Sequence, residues 1–228
     1  FVISDGKNYK FFQTAQDHKR VGENDTGKNT GGMGAYSPSR LINNKLNENI
    51  NEKIIKPTLK GLEDIGTNYS GFLYIGLMVI NNEPYLIEFN VRMGDPECQA
   101  ILPLLESDLG EIILACCDKK LSSIQINWKE KKSICIVLCS NGYPDKYEKN
   151  VKINQLKDIK LKNNEYLFHA GTKLLDGEYL ATGGRVLNIV TISDNFALSK
   201  NQNIKILNKL NWRNGFFRKD IGYKVIEK

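Results

Sequence analysis

Histidine is scarce in this 228-residue chain, with only His18 and His169, and the five cysteines are an odd number that form no paired Cys-x-x-Cys framework. That shortage argues against a zinc site and against a disulfide-stapled fold. Cys98, Cys116, Cys117, Cys135 and Cys139 sit in apolar helical or strand-like patterns and read as free thiols of a reducing compartment. No apolar run approaches the roughly 20 residues that a membrane-spanning helix needs. No internal repeat is visible. Phe1-Val-Ile3 has no charged segment before it and reads as the middle of a strand, not as a signal peptide, so the expectation is a chain that begins inside a domain. What is present is ordinary for a globular protein: 41% hydrophobic and 25% charged residues, enough apolar mass for one large or two small cores. The net charge of +6 comes from lysines scattered among asparagines and isoleucines. A nucleic-acid surface would cluster them, so a solvated basic surface is expected instead.

The pattern along the chain predicts an α+β protein. Short strands are expected at Phe1–Ile3 and Tyr9–Phe12 around an Asp5-Gly6 turn, followed by a long glycine-rich loop over 21–40. Leu46, Ile50, Ile54, Leu62 and Ile65 give helical periodicity over 45–65, with Pro57 set to kink or divide it. Residues 71–91 form the clearest hairpin, turning at Asn81-Asn82. Helix is expected over 95–118, capped by Asp95 with Pro96 at its first position, interrupted at Pro103 and restarted from Ser107. The polar stretch Asp118–Lys132 reads as a boundary, giving one unit over 1–120 and a second α+β unit over 125–228.

Chemistry concentrates in Tyr85-Leu-Ile-Glu-Phe-Asn-Val-Arg92. Alternation places Glu88, Asn90 and Arg92 on one strand face and leaves Ile87, Phe89 and Val91 to pack into a core. A carboxylate and an amide oxygen side by side suit Mg²⁺, which prefers oxygen and shares its shell with substrate phosphates. Arg92 adds a planar fork for a phosphate or carboxylate. The solvent-facing side of an ordinary hairpin would look the same, and the spacing leaves both open. Gly94-Asp95-Pro96-Glu97 opens a helix directly afterwards, where free N–H groups favour an anion. The second stretch runs from Asp17-His-Lys-Arg20 to Pro38. Gly27, Gly31, Gly32 and Gly34 would let successive N–H groups converge on phosphate oxygens, with Lys19 and Arg20 adding charge. A flexible surface loop would also be glycine-rich. Gly22 to Lys28 imitates a P-loop, but Asn29 stands where Ser or Thr should follow, and glycines rather than a helix come next. Gly171-Thr172, Gly183-Gly184-Arg185 and Arg218 to Gly222 are weaker loop candidates, for which turn formation is the commoner explanation.

Taken in order, AQDHKR at 15–20, DTGKNTGGMGAYSP at 25–38, GFLYIGLM at 71–78, IEFNVRMGDPE at 87–97 and the late FHAGT, GGRVL and RKDIGY resemble the phosphoribosylamine–glycine ligase family of ATP-grasp enzymes. The resemblance covers nearly the whole chain. It implies the later part of a partial ATP-grasp domain, an antiparallel sheet with helices, over 1–120, then the ligase's small C-terminal α+β domain. It implies ATP as co-substrate, Mg²⁺ or Mn²⁺ on Glu88 and Asn90, and glycine and 5-phosphoribosylamine as substrates. Arg92 and Asp95 would be catalytic. Asp17, Lys19, Arg20, Gly31, Gly32, Gly34 and Glu97 would bind substrate or phosphates, with Asp95 and Glu97 orienting glycine's ammonium. It further implies a cytoplasmic enzyme of purine synthesis, monomeric when complete, with no nucleic-acid or membrane partner, and a piece without turnover when isolated. Another ATP-grasp carboxylate–amine ligase and a catalytically inactive binding fragment are the alternatives. The chain departs from the family at Lys28, where proline is usual. Gly76 stands where many ATP-grasp enzymes carry a second metal-binding acid.

Overall fold

A computed structural model describes residues 1–226. In chain order it holds β1 (Val2–Asp5), β2 (Tyr9–Phe11), β3 (Gln16–Asp17), β4 (Arg20–Gly22), β5 (Thr26–Asn29), β6 (Gly34–Ser37), α1 (Asn44–Ile50), α2 (Lys56–Asp64), β7 (Ser70–Ile80), β8 (Glu83–Asn90), α3 (Glu97–Ile101), α4 (Leu109–Cys117), β9 (Lys132–Ser140), β10 (Val151–Lys152), β11 (Glu165–His169), β12 (Thr172–Leu175), β13 (Glu178–Ala181), β14 (Arg185–Ser193), α5 (Phe196–Leu210) and β15 (Gly215–Phe216). The architecture is α+β, with every strand pairing antiparallel. The chain forms two compact units that interleave along the sequence: residues 1–14, 39–94 and 105–129 make the first, and residues 15–38, 95–104 and the described residues from 130 onward the second. The segments 15–38 and 95–104 pack with the later residues because β3, β6 and α3 find their partners there.

The first unit is a four-stranded sheet in the order β2-β1-β7-β8. Leu46, Ile50 and Ile55 pack with Val2 and Leu73, and Ile75, Leu77 and Val79 join from β7. The helix over 44–64 passes through a π turn at Asn51–Ile55 directly before Pro57. A proline there has no N–H to donate, and the wider turn adjusts the hydrogen-bond pattern around it. Ile65 ends up exposed beyond the last turn.

The 71–91 hairpin forms as expected, with one irregularity. Gly76 pairs Glu88 and Leu77 pairs Leu86, so Ile87 is the extra residue of a bulge. Ile87, Phe89 and Val91 do not enter a core. Ile87 is 64% and Val91 77% exposed, and Phe89 is exposed too. The reason is position: β8 is an edge strand, and the side-chain bonds that tie it to the helical layer, from Asn49 and Lys53, fall at Glu83, at the other end of the strand. Helix placement also differs over 95–118. Pro96, not Asp95, occupies the cap position, and the first helix lasts only from Glu97 through Ile101. The next helix is capped by Asp108, not Ser107, its carboxylate accepting from Glu111 N–H at 3.0 Å.

The second unit is built on the sheet β11-β14-β9-β6-β3, to which β15 adds beside β9. Ile134, Ile136, Val186 and Ile189 of its strands pack with Phe196, Leu207 and Leu210 of α5. A three-stranded sheet, β10-β13-β12, and the β4–β5 hairpin complete it. The 21–40 stretch is thus no loop. Its start is a hairpin, and Gly34–Ser37 is a fully buried strand paired with β9. A Cβ at position 34 would lie 2.6 Å from the Cys135 carbonyl oxygen, so glycine is needed for that approach.

Candidate active site

Cross-strand partners share a sheet face, so the β7–β8 register fixes which groups lie together in the first unit. Glu88 pairs Gly76, Asn90 pairs Tyr74, and Met78 pairs Tyr85. Positions 74, 76 and 78 alternate onto one face of β7, and Glu88 and Asn90 lie on that face because both follow the bulge. Gly76 is the cradle for Glu88: a Cβ there would meet Glu88 Cγ at 2.9 Å. No hydrogen bond or ion pair engages the side chain of Glu88 or Asn90 among the described residues. A carboxylate and an amide oxygen, side by side and unengaged, fit a hard divalent cation. No group of three or more His, Cys, Asp or Glu gathers as a metal site among the described residues, so Glu88 is the one carboxylate of this pair. Arg92 is exposed, and its Nη1 donates to the Met93 carbonyl at 2.9 Å.

The other expected site residues belong to the second unit. The side chain of Asp17 is only 6% exposed, and Lys19 Nζ pairs with its Oδ2 at 2.9 Å. Its Oδ1 has no hydrogen-bond partner among the described residues. Burial, then the charge of the buried Glu97, pushes the Asp17 carboxyl up to about 7, while Lys19 and Arg185 pull the other way. Gly32 lies directly against it: with φ +121°, a side chain at 32 would come within 2.8 Å of Oδ1 and strike Pro96.

The glycine run does not form a set of free converging donors. Gly31 N–H donates to Tyr143 Oη at 2.9 Å and Gly32 N–H to Thr30 Oγ1 at 3.0 Å, while Gly34 is locked in β6. These glycines serve close packing instead. Arg20 donates to the Gly27 carbonyl at 2.8 Å, closing its own hairpin, and Lys28 pairs with Asp145 on the surface.

Asp95 accepts from Gln99 Nε2 at 2.9 Å and pairs with Arg185 at 3.2 Å. Arg185 also donates to the Gly31 carbonyl at 2.9 Å and the Asp95 carbonyl at 2.7 Å. It ties three separate segments of the second unit together. Sequence reasoning had only the weak Gly183-Gly184-Arg185 turn to point to it, because its partners lie far away along the chain.

His18, next to Asp17 in the chain, is buried. Its Nε2 accepts from Gly222 N–H at 3.1 Å, so the ring proton sits on Nδ1, facing Asp25 at 3.4 Å. Burial, then the Arg218 charge, lowers His18 to about 4. Between pH 6.5 and about 4 the unfolded chain therefore binds a proton that the native chain refuses, and His18 costs stability as pH falls. Asp17, raised to about 7, has the opposite slope over about pH 4 to 7, since its native form holds the extra proton. In Asp17→Asn the His18 slope is expected to stand alone. The fall in Tm from pH 6.5 to pH 4.5 should be steeper than in the wild type, and an unchanged or shallower fall contradicts the assignment.

An α+β chain with an antiparallel sheet that carries an acid–amide pair has the architecture of the ATP-grasp class. The family profile described as the phosphoribosylglycinamide synthetase ATP-grasp (A) domain matches residues 1–98, and the profile of the same synthetase's C domain matches residues 133–224. The chain belongs to the phosphoribosylglycinamide synthetase family. A phosphoribosylamine–glycine ligase of Agrobacterium fabrum is 43% identical over 226 residues, covering 99% of this chain and 53% of the relative. One from Pasteurella multocida is 44% identical, covering 99% and 52%. The crystal structure of a phosphoribosylamine–glycine ligase from Thermotoga maritima superposes with a TM-score of 0.83 at 30% identity, over 96% of this chain and 54% of that one. A biotin carboxylase from Campylobacter jejuni, at a TM-score of 0.63 and 15% identity, covers 91% of this chain and 44% of its own and shares the fold alone. The chain thus spans about half the length of the curated relatives it matches. Among the described residues no helix is long and apolar enough to cross a membrane.

Proposed function

We propose that the chain is part of an ATP-dependent ligase that joins glycine to 5-phosphoribosylamine, giving glycinamide ribonucleotide, ADP and phosphate in purine synthesis. The observation that carries the reading is the Glu88–Asn90 pair, unengaged and on one strand face, with Gly76 leaving room for the carboxylate. Glu88 and Asn90 would hold Mg²⁺ or Mn²⁺, which supplies charge neutralisation for the phosphates of ATP. Arg92 would offer its fork to the transferring phosphoryl group or to the acyl phosphate of glycine. Met78 and Tyr85, exposed on the same face as Glu88, would offer apolar surface to the nucleotide. Lys19 and Arg20, both exposed, are the cations proposed for the phosphoribosyl phosphate. Asp95 would position rather than react, since its carboxylate is committed to Gln99 and Arg185. Five free cysteines suit a reducing compartment, and the cytoplasm is the one proposed.

The test is an ADP-release assay on a ligase of the relatives' full length that carries these residues. Release should require magnesium, glycine and phosphoribosylamine together. Equal turnover with alanine or serine in place of glycine would favour a different carboxylate–amine ligase.

A further inference from the structure

The loop that joins β9 to β10 grips the glycine-rich stretch at two points. Tyr143 Oη accepts from Gly31 N–H at 2.9 Å, and Asp145 takes Lys28 Nζ on both carboxylate oxygens at 2.8 Å. The loop is shaped to present these two side chains together. Gly142 turns it with φ +94°, where a Cβ would lie 2.1 Å from the Lys146 carbonyl oxygen. Asp145 N–H then donates to the Gly142 carbonyl at 2.9 Å. The Tyr143 ring is seated on bare backbone, since a Cβ at Gly184 would come within 2.3 Å of Tyr143 Cδ2. Gly31 is thus held from both sides, its N–H by Tyr143 and its carbonyl by Arg185. Thr30 carries that hold onward. Its N–H and its Oγ1 both donate to the Lys19 carbonyl, at 2.8 and 2.9 Å. The backbone of Lys19 is therefore fixed by a residue that lies between Lys28 and Gly31, each tied to the 141–147 loop. A proline at 28 could make no pair with Asp145, so this second tie belongs to the chain's own departure from its family.

We propose that Tyr143 is a positioning residue for Lys19, acting through Gly31 and Thr30, and that the Lys28–Asp145 pair is a salt-sensitive strap on the same segment. Neither touches the ligand. Both set where the Lys19 ammonium stands when it meets the phosphate of the phosphoribosyl substrate. That phosphate as the ligand rests on the ligase reading; the hold on residues 28–31 does not. The two ties differ in their physics. The Tyr143 bond joins neutral groups and is indifferent to ionic strength. Lys28 and Asp145 are each about two-thirds exposed, so salt screens their attraction. The screening length falls from roughly 10 Å at 0.1 M to about 3 Å at 1 M.

The experiment has two arms. In the 228-residue chain, Tyr143→Phe removes one hydroxyl and should speed amide exchange over 28–31 about fivefold, the scale of one hydrogen bond, while β9 and β14 stay unchanged. One compact unit holds every residue invoked, and thermal unfolding checks that the variant is folded. Unchanged exchange over 28–31 overturns the positioning role, whatever the enzyme does. The second arm is steady-state kinetics of a ligase of the relatives' full length that carries these residues. Tyr143→Phe should raise the KM for phosphoribosylamine about three- to tenfold, with a smaller fall in kcat and unchanged KM values for glycine and ATP. Asp145→Asn should raise the same KM about twofold at low salt, and its ratio to the wild type should return to unity at about 0.5 M salt. Lys28→Met combined with Asp145→Asn should be no worse than either alone. An equal rise in all three KM values, or a lower kcat with the phosphoribosylamine KM unchanged, overturns the link to Lys19. An Asp145→Asn effect that persists in high salt overturns the strap. If the wild-type ligase releases no ADP from glycine and phosphoribosylamine together, the ligase reading fails, and the exchange result alone decides the hold on 28–31.

Discussion

Glu88→Gln is expected to lower turnover by roughly 10²-fold or more, the scale of losing one key electrostatic group from a phosphoryl-transfer site. The substitution keeps the shape, removes the negative charge and replaces one acceptor oxygen with an NH2 donor. The position directly across from Glu88 is Gly76, which carries no acid to compensate. The measurement is ADP release as a function of magnesium in the full-length ligase. The defect should shrink as the metal is raised, because weaker cation binding is its cause. Near-normal turnover at low magnesium would contradict the metal assignment. Gly76→Val is the companion variant: it keeps both residues of the pair but adds a side chain whose Cβ would lie 2.9 Å from Glu88 Cγ. It should raise the metal requirement in the same direction, by displacement rather than by loss of charge.

The acid–amide pair was legible in the sequence because it is local. Strand alternation over 85–92 is a property of eight consecutive residues, and the Asn81-Asn82 turn fixed the hairpin. The bulge at Ile87 was not legible, since no residue in the strand marks it. The apolar partners of the pair were misjudged for a different reason: alternation says which residues share a face, not whether anything covers that face. The 21–40 stretch misled because its strands are only three or four residues long and rich in glycine. What makes Gly34–Ser37 a strand is β9, almost a hundred residues later, and that pairing leaves no period in the segment itself. The same non-locality hid the site in the second unit. Asp17, Glu97 and Arg185 were each visible as polar residues near turns, but only the sheet brings them together. Asp95 shows the converse: a plausible local cap became a long-range ion pair once Arg185 was available.

The RKDIGY stretch, read as a turn, turns out to lock the hairpin that carries Lys19 and Arg20. Arg218 is 1% exposed and spends its whole guanidinium. Nε and Nη2 fork onto Asp220 at 2.8 and 2.7 Å, while Nη1 donates to Asp25 at 3.0 Å and to the Arg20 carbonyl at 2.9 Å. Partial burial acts against its ionisation, but Lys224, Tyr223 and Arg218 hold the Asp25 carboxyl well below the usual range. Arg218→Met would fill much of the same volume and leave two carboxylates without their shared cation. Breaking a buried pair on one side costs about 3–5 kcal/mol. Asp25 is about a quarter exposed and keeps Lys224, so the lower end applies. For a chain of this length about 3 kcal/mol corresponds to a fall in Tm of roughly 6–12 °C. Arg218→Lys should recover little of it, because a point charge cannot reach Asp220, Asp25 and the Arg20 carbonyl at once. Thermal unfolding of both variants checks this, and a Tm within about 2 °C of the wild type in Arg218→Met would mean that the carboxylates find water or Lys224 instead. The coupling to the hairpin is read separately. Asp220 also accepts from Asn24 N–H at 2.7 Å, so loss of Arg218 should loosen β4 and β5 first, seen as faster amide exchange over 20–29 than in β9 or β14.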